Sequence, residues 1–596
     1  MTELIKRRDI DFLLYEFLNV EQLLAHPRYA DHDRKVFDAI IDTAVKIAEE
    51  KFQTCAKDLD NNEPSFDGQK VTLIPQVKEA LRAFAEAGFP AATYANEQDG
   101  LQLPWTVFQA AMAYFHAANI SLSAYPLLTG AAANLLNAHG SVEQKALYLP
   151  HMLSGRFFGT MCLSETQAGS SLSDIRTRAE PTDQGYYLIK GTKMWISGGE
   201  HDLAENIIHM VLAKIPGGPP GVKGISLFIV PKIHVQPDGS LGERNDVALA
   251  GLNHKMGYRG TVNTVMSFGE KDNCKGYLIG EPHKGLECMF HMMNEARIGI
   301  GMGATTIGYA GYLYSLDYAR QRPQGRHPLN KNPQSPQVPI IEHADIRRLL
   351  LTQKSYVEGA LALQLYCAML VDEQKISADT NRKQVLALLL DILTPIAKSW
   401  PSEFCLEANK LAMQILGGYG YTREYPLERL YRDNRLNPIH EGTHGIHGID
   451  LLGRKVRMAG GKAFTTLLDH IRETIREASG NRTLQAYAGQ LSNTLQEVEK
   501  TTAVLIACEN LNLSLANSTI YLDMLGHVVI AWTWLRQAIV VAANAGNATG
   551  DDKDFYQGKL AACRYFFHYE LPKTHGMMQL LQSLDDTCLN ITSSQL

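Results

Sequence analysis

The spacing of apolar residues changes twice along this chain of 596 residues, and those two changes limit what it can fold into. Upstream of Phe157, apolar residues recur at three- and four-residue steps. DRKVFDAIIDTAVKIAEEK, from Asp33 to Lys51, is one such run, and others follow at 75–88 and 105–118 with Gly and Pro between them. That spacing marks one buried face of a helix, so residues 1–160 read as helical. From Phe157 to about Glu281 the texture is different. Short runs rich in β-branched and aromatic residues alternate with turns: GYYLIKGTKMWIS, NIIHMVLAKI, GISLFIVPK, TVNTVMSF and GYLIGE. These have the length and composition of strands, and IPGGPPGVKG between two of them reads as a loop. From Gly285 the helical spacing returns in two long runs, separated by the Pro-rich loop RPQGRHPLNKNPQSPQVP. A further helix leads into LGGYGYTREYP. Beyond about Ala459 the tail has room for roughly four more helices. The predicted fold is mainly α with an inserted β domain and an additional C-terminal helical domain. Its expected segments are an N-terminal extension (1–37), a helical domain (38–158), a β domain (159–282), a helical-bundle domain (283–458) and a final helical domain (459–596).

Several classes of protein fit this chain poorly. No GxGxxG follows a strand and opens a helix, so a Rossmann nucleotide domain is not expected. The net charge of −6 argues against a general nucleic-acid binder. The nine cysteines form no CxxC pair, which suits a reducing compartment and points to the cytoplasm. MTELIKRRDIDFLLYEFLNVEQLL lacks the apolar core of a secretory signal. Val528–Ala543 is the most apolar stretch, but it is too short to span a bilayer and carries Arg536 and Gln537. A buried or subunit-facing helix is expected there, with no integral membrane segment.

Three motif blocks carry chemistry. MCLSETQAGSSL spans 161–172 and is followed by GTKMWISGG at 191–199. YARQRPQGR spans 318–326. QILGGYGYTREYPLERLYRDNRLNPIHEGTHGI runs from Gln414 to Ile446. In this order, and over roughly 38–457, they resemble the acyl-CoA dehydrogenase family. The flanking phrases GEHDLAENIIHMVLAK and PPGVKGISLFIVPK, with the long tail, resemble its long subfamily, which includes 3-methylthiopropionyl-CoA dehydrogenase-like enzymes. The resemblance implies a helical N-terminal domain, a β-barrel middle domain and a C-terminal four-helix bundle. It also implies FAD as cofactor, an acyl-CoA substrate in fatty acid β-oxidation, electron-transfer flavoprotein as electron acceptor, and a homodimer. The implied reaction removes the α proton and the β hydride of a saturated acyl thioester to give a trans-2-enoyl-CoA.

The resemblance also implies residue roles. Glu441, in HEGTHGI, stands where the family places its base, and its own N–H is expected to donate to the thioester carbonyl. Such donors stabilise enolate-like charge, and exclusion of water raises carboxylate basicity. Gly442 leaves room for the ligand. Some relatives carry the base immediately before an arginine on another helix. Here that helix reads MNEAR, and the position holds Ala296, which has no basic group. Glu295 is expected to point elsewhere, and Arg297 to support the site and the substrate. Met161, Leu163, Ser164, Gly169 and Ser170 are implied flavin contacts, Ser170 also touching substrate. Trp195 is expected to stack near the ring, with Ser197 hydrogen-bonding close to N5. Arg322 matches the arginine that binds the FAD pyrophosphate, commonly across a subunit interface, and the fork of a guanidinium suits phosphate oxygens. Gln414, Gly417 and Gly418 are expected near the adenosine diphosphate portion, and Thr443 near the flavin. Two positions depart from the family pattern: Gly325 replaces an aromatic residue and Gly445 replaces Gln or Asn.

HEGTH at 440–444 is also a literal HExxH, which in a zinc hydrolase places two histidines one helical turn apart with Glu441 as base. Pro438 and Gly442 and the flanking blocks weigh against that reading, and no metal is expected. An acyl-CoA oxidase and a non-enzymatic flavoprotein are further alternatives; the presence of Glu441 argues against the second. The expected substrate is a medium- to long-chain fatty acyl-CoA, with 3-methylthiopropionyl-CoA as the alternative.

Overall fold

The computed structural model describes residues 3–329 and 332–596, without the side chains of residues 290–294. Asn330 and Lys331 of the expected Pro-rich loop, and the first two residues of the N-terminal extension, lie outside the described residues. The chain forms two compact units. One comprises Met1–Lys35, Pro104–Ala113 and Arg297–Leu596; the other comprises Val36–Leu103 and Tyr114–Ala296.

In the second unit helices form where the apolar steps lie. Arg34–Ile47 covers the first run and continues as a wider turn to Gln53. Pro75–Glu86 begins with its proline in the first turn, where a missing N–H costs nothing. Ser141 and Gln144 cap Val142–Leu153 reciprocally. The rings of Phe52, Phe84, Phe89 and Phe115 meet at centroid distances of 4.9–5.2 Å. One short piece departs from the helical expectation: Ser65–Phe66 pairs antiparallel with Val71–Thr72. Between them the Asp67 carboxylate accepts from the N–H groups of Gln69 and Lys70 at 2.8 and 2.7 Å, and Gly68 supplies a φ of 98°. This local turn chemistry overrides the surrounding helical pattern.

The β domain follows the alternating runs. Its main strands are β1 (Phe157–Cys162), β2 (Arg178–Pro181), β3 (Tyr187–Ser197), β4 (Asn206–Lys214), β5 (Ile225–Pro231), β6 (Val247–Leu252), β7 (Asn263–Phe268) and β8 (Lys275–Ile279). Their order is β6-β7-β3-β8-β5-β4-β1, and β2 pairs with both β3 and β4. Strands β3, β8, β5, β4 and β2 therefore close into a small barrel. The period of two along β4 sorts its side chains. Ile208, Met210 and Leu212 pack with Ala132, Leu136, Leu149 and Met152 of the helices. Val211 and Ala213 join Ile189, Phe228, Val230, Met266 and Phe268 on the other face.

The first unit is built on the part of helix Gly285–Gln321 from Arg297 onward and on the helices Ala344–Ile376 and Thr380–Leu416. Small residues let the first and third of these approach closely. A Cβ on Gly301 would lie 2.0 Å from the Ala397 carbonyl oxygen, and one on Gly308 would lie 2.8 Å from Cys405.

Among the described residues of the tail, five helices have nine residues or more: Met458–Ser479, Gln485–Ala507, Ser518–Asn544, Gly550–Tyr565 and Thr574–Gln582. The most apolar stretch of the chain lies inside Ser518–Asn544. This helix and Thr380–Leu416 are long and apolar enough to cross a membrane, yet 83% of each apolar window is buried in protein, so they are core helices. Trp534 donates to the Ser355 carbonyl at 2.9 Å and Trp532 to Thr474 at 2.8 Å. The Arg536 guanidinium lies 4.1 Å from the centroid of Tyr366, which accommodates a cation in an apolar helix.

The Ser518 end of this helix meets the chain at Gly448, where a Cβ would fall 2.8 Å from the Ser518 carbonyl group. Gly448→Ala must push two backbones apart, and about 1–3 kcal/mol of destabilisation is expected in urea unfolding. Wild-type stability in that variant would argue against so close an approach.

Candidate active site

Glu441 sits on a loop between Leu427–Asn434 and the short helix His444–Ile449. Its φ of 53° is left-handed and that of Gly442 is 95°. A glutamate in this region carries strain of about 1–3 kcal/mol and persists only where surrounding contacts impose it. Those contacts are present. The buried Lys398 Nζ, from Thr380–Leu416, donates to the carbonyl oxygens of Asn437 at 2.8 Å and Gly442 at 2.6 Å. His447 Nε2 donates to the Glu441 carbonyl at 3.2 Å. Thr443 caps the short helix by accepting from the Ile446 N–H at 3.3 Å. The expectation from the sequence gave Thr443 a flavin contact and did not include this capping role.

Glu441 is exposed as a residue, yet its carboxyl is surrounded by enough protein to be desolvated. Burial pushes its pKa above the ordinary glutamate value, while Lys398 and Arg297 oppose the rise. Arg297, 6% exposed, pairs with Asp450 at 3.1 Å. Burial keeps His440 and His447 neutral, each with a pKa lowered to about 3 and with Lys398 adding to the effect. The neighbourhood of Glu441 thus combines the Arg297 guanidinium and the Lys398 amine with two neutral imidazoles.

The helix that a zinc HExxH site needs begins only at His444, after two left-handed residues. His440 Nε2 lies 3.0 Å from Asn437 Oδ1. His444 Nδ1 is bonded to Ser399 Oγ at 2.6 Å, and its Nε2 faces Asp523 at 3.2 Å. The two histidines are committed to different neighbours, and the zinc-hydrolase reading falls with the missing helical turn. Glu295, in the second unit, accepts from Asn134 at 3.0 Å.

In the second unit the residues expected near a flavin lie on two segments joined by hydrogen bonds. Met161 belongs to β1, with Leu163 and Ser164 just beyond it. The Met194 N–H donates to the Ser164 carbonyl at 2.9 Å, and Lys193 Nζ donates to that of Leu163 at 3.0 Å. Beneath them the buried Glu165 accepts from Lys193 Nζ, Thr177 N and Oγ1, and the Arg176 N–H at 2.6–3.0 Å. Burial opposes the Glu165 charge, but Lys193 and these hydrogen bonds outweigh it and hold the carboxyl at about 2. Trp195 is 59% exposed with a φ of 65°, and Ser197 accepts from Asn263 at 3.1 Å. Gly169 and Ser170 are exposed.

In the first unit the Arg322 guanidinium lies 5.6 Å from the centre of the Tyr419 ring. Tyr314, Tyr318 and Tyr419 gather around Tyr425. Gln414 is exposed, and a Cβ on Gly417 or Gly418 would meet nothing within 4 Å.

Lys398 lies outside every motif block, and Glu165 and Lys193, though inside two of them, receive no role from the sequence. The signal for Lys398 was a single cation in the apolar run LLLDILTPIAKSW; a charge placed there must be paired or functional.

Residues 37–156 match the family described as acyl-CoA dehydrogenase, N-terminal domain; 160–270 match its middle domain and 283–456 its C-terminal domain. Residues 467–592 match a domain described as acetyl-CoA dehydrogenase C-terminal like. The chain is 35% identical to 3-methylmercaptopropionyl-CoA dehydrogenase of Ruegeria pomeroyi over 94% of both proteins. It is 32% identical to a broad-specificity linear acyl-CoA dehydrogenase of Mycobacterium tuberculosis over 98% of both. The fold matches a Bacillus anthracis acyl-CoA dehydrogenase complexed with FAD, with a TM-score of 0.73 at 19% identity, covering 99% of this chain and 95% of that one.

Proposed function

The chain belongs to the acyl-CoA dehydrogenase family, and from that premise we propose that it desaturates a straight-chain fatty acyl-CoA of medium to long chain length, with Glu441 as the base. The observation that carries this reading is the Glu441 loop. A carboxyl whose basicity is raised by burial is presented on a strained turn fixed by Lys398 and His447.

The residues present suit FAD. Trp195 offers an exposed indole to a planar ring, the segments around Ser164 and Ser197 offer polar groups, Arg322 offers a cation to a pyrophosphate, and Gly417 and Gly418 leave backbone open to approach. The isoalloxazine is assigned to Met161, Leu163, Ser164, Gly169, Ser170, Trp195 and Ser197. The adenosine diphosphate portion is assigned to Arg322, Gln414, Gly417 and Gly418. FAD, when bound, supplies the acceptor for the β hydride.

The protein's own part is to position and deprotonate. The Glu441 carboxylate takes the α proton, and its N–H donates to the thioester carbonyl as negative charge develops there. Arg297 and Lys398 favour the ionised carboxylate against the effect of burial. Gly442, without a Cβ, leaves room for the substrate. As the Cα–H electron pair moves into the new double bond, the β hydrogen leaves with its own pair, giving the trans-2-enoyl thioester.

Electron-transfer flavoprotein as acceptor, a homodimer and a cytoplasmic location complete the proposal; the free cysteines, seven of them buried, suit a reducing compartment. The likeness to the broad-specificity linear relative supports a straight-chain substrate. The 35% identity to the 3-methylmercaptopropionyl-CoA enzyme supports 3-methylthiopropionyl-CoA as a second reading.

Anaerobic titration with butyryl-, octanoyl-, palmitoyl- and 3-methylthiopropionyl-CoA distinguishes them. The longer linear thioesters are expected to bleach the visible flavin absorbance most fully and at the lowest concentration. Preferential bleaching by 3-methylthiopropionyl-CoA would favour the second reading, and bleaching by none would remove the proposal.

A further inference from the structure

Lys398 lies in the interior of Thr380–Leu416, flanked by the fully buried Ile396, Ala397 and Trp400. A buried ammonium is expensive to desolvate, and an apolar residue of similar length would pack there at lower cost. Its contacts indicate what offsets that cost. The two carbonyl oxygens it binds, Asn437 and Gly442, stand on either side of Glu441. The charged and titratable groups facing it come from three places. Glu441, His440 and His447 lie on the loop and its short helix, Arg297 on Gly285–Gln321, and Glu403 one turn further along the lysine's own helix.

We propose that Lys398 is a positioning residue for the reaction: its ammonium pins the turn that presents Glu441 and, while protonated, places a positive charge near that carboxylate. This rests on Glu441 being the base. Removing the cation has two consequences. Asn437 and Gly442 lose their donor, so the turn loosens and the rate falls. The Glu441 carboxyl also loses an opposing charge, so its pKa rises and the acid limb of the reaction moves to higher pH. A lysine that only filled space would affect the first and leave the second unchanged. Burial lowers the lysine's own pKa to about 7, with Arg297 adding to this and Glu441 and Glu403 opposing it.

The test compares wild type with K398M and K398R as FAD-loaded enzymes. Anaerobic rapid mixing with octanoyl-CoA gives the rate of flavin reduction against pH, and the infrared carboxyl band that E441Q lacks gives the Glu441 titration without substrate. In K398M both the acid limb and the band are expected to move up by about one pH unit. The rate should fall about 10- to 100-fold with little change in KM. K398R, which keeps the charge, should leave the limb and band in place. A K398M limb and band at wild-type positions would overturn the proposal. If K398M does not fold, K398Q, which also removes the charge, takes its place with the same two readouts, and a limb and band at wild-type positions there would overturn the proposal equally. Wild-type reduction by E441Q would instead remove the base assignment on which the proposal rests.

Discussion

Replacing Lys559 with methionine should cost about 3–5 kcal/mol of folding free energy, the price of removing one partner from a buried ionic cluster. Lys559 is 1% exposed and meets two carboxylates that are equally buried, Asp9 Oδ1 at 2.5 Å and Glu358 Oε2 at 2.9 Å, with Gln537 Oε1 at 3.2 Å. Asp9 belongs to the N-terminal Arg7–Asp11 helix, Glu358 to Ala344–Ile376 and Lys559 to Gly550–Tyr565. Tyr309 donates to the other oxygen of Asp9 at 2.9 Å, and Lys354 pairs with Glu358. The cluster thus ties the first turns of the chain to its last helices within one unit.

Without Lys559, Asp9 and Glu358 remain buried with only part of their compensation. Burial already raises the Asp9 pKa, which rises further without Lys559, and Glu358 loses one of the two lysines that hold its pKa low, so the folded variant binds more protons than the folded wild type. Its stability deficit should therefore shrink as the pH falls from 7 toward 5. Urea unfolding at the two pH values measures this directly. The combined variant Asp9→Asn, Glu358→Gln, Lys559→Met should recover most of the loss, because no uncompensated charge remains. A Lys559→Met protein as stable as wild type would show that the cluster contributes no net stability.

The large features of this fold are legible because they are written in repeated spacing. The switch at Phe157 appears because β4 and β5 are continuous apolar runs and β3 alternates, while the surrounding helices bury one stripe each. What escaped has local causes. β6 reads VALAGL and β2 reads RAEP, neither with the β-branched or aromatic content of a strand; both are held by pairing with stronger neighbours. The Ser65–Thr72 hairpin depends on one Asp–Gly turn.

The site divides in the same way. Glu441 was legible because a motif block surrounds it. Its left-handed backbone was not, since φ follows from contacts made by residues distant in sequence. Lys398 is 43 residues upstream (441 − 398), so nothing local to HEGTHGI announces it. The same holds for Asp523, whose approach to His444 brings a residue of the C-terminal helical region beside the Glu441 loop. HExxH shows the opposite failure, a spacing that matches a zinc helix in a segment that is not helical.

Glu441→Gln carries the second large expected effect. Glutamine keeps the shape of the side chain and the backbone contacts of the turn, so Lys398 and His447 can hold the loop as before. It removes only the basic oxygen pair. General-base catalysis contributes about 10²–10⁴ in rate, and an α proton beside a thioester has no other carboxylate on this loop to receive it. The wild-type rate should rise with pH through an acid limb above the ordinary glutamate value, because burial raises the Glu441 pKa against Lys398 and Arg297. The variant should lack that limb.

The decisive measurement is the rate of flavin reduction in Glu441→Gln and wild type, matched for FAD content and mixed anaerobically with the same acyl-CoA. A loss of about 10³-fold or more at unchanged FAD content is the expected result. Reduction of the variant's flavin at the wild-type rate would contradict the assignment of Glu441 as the base.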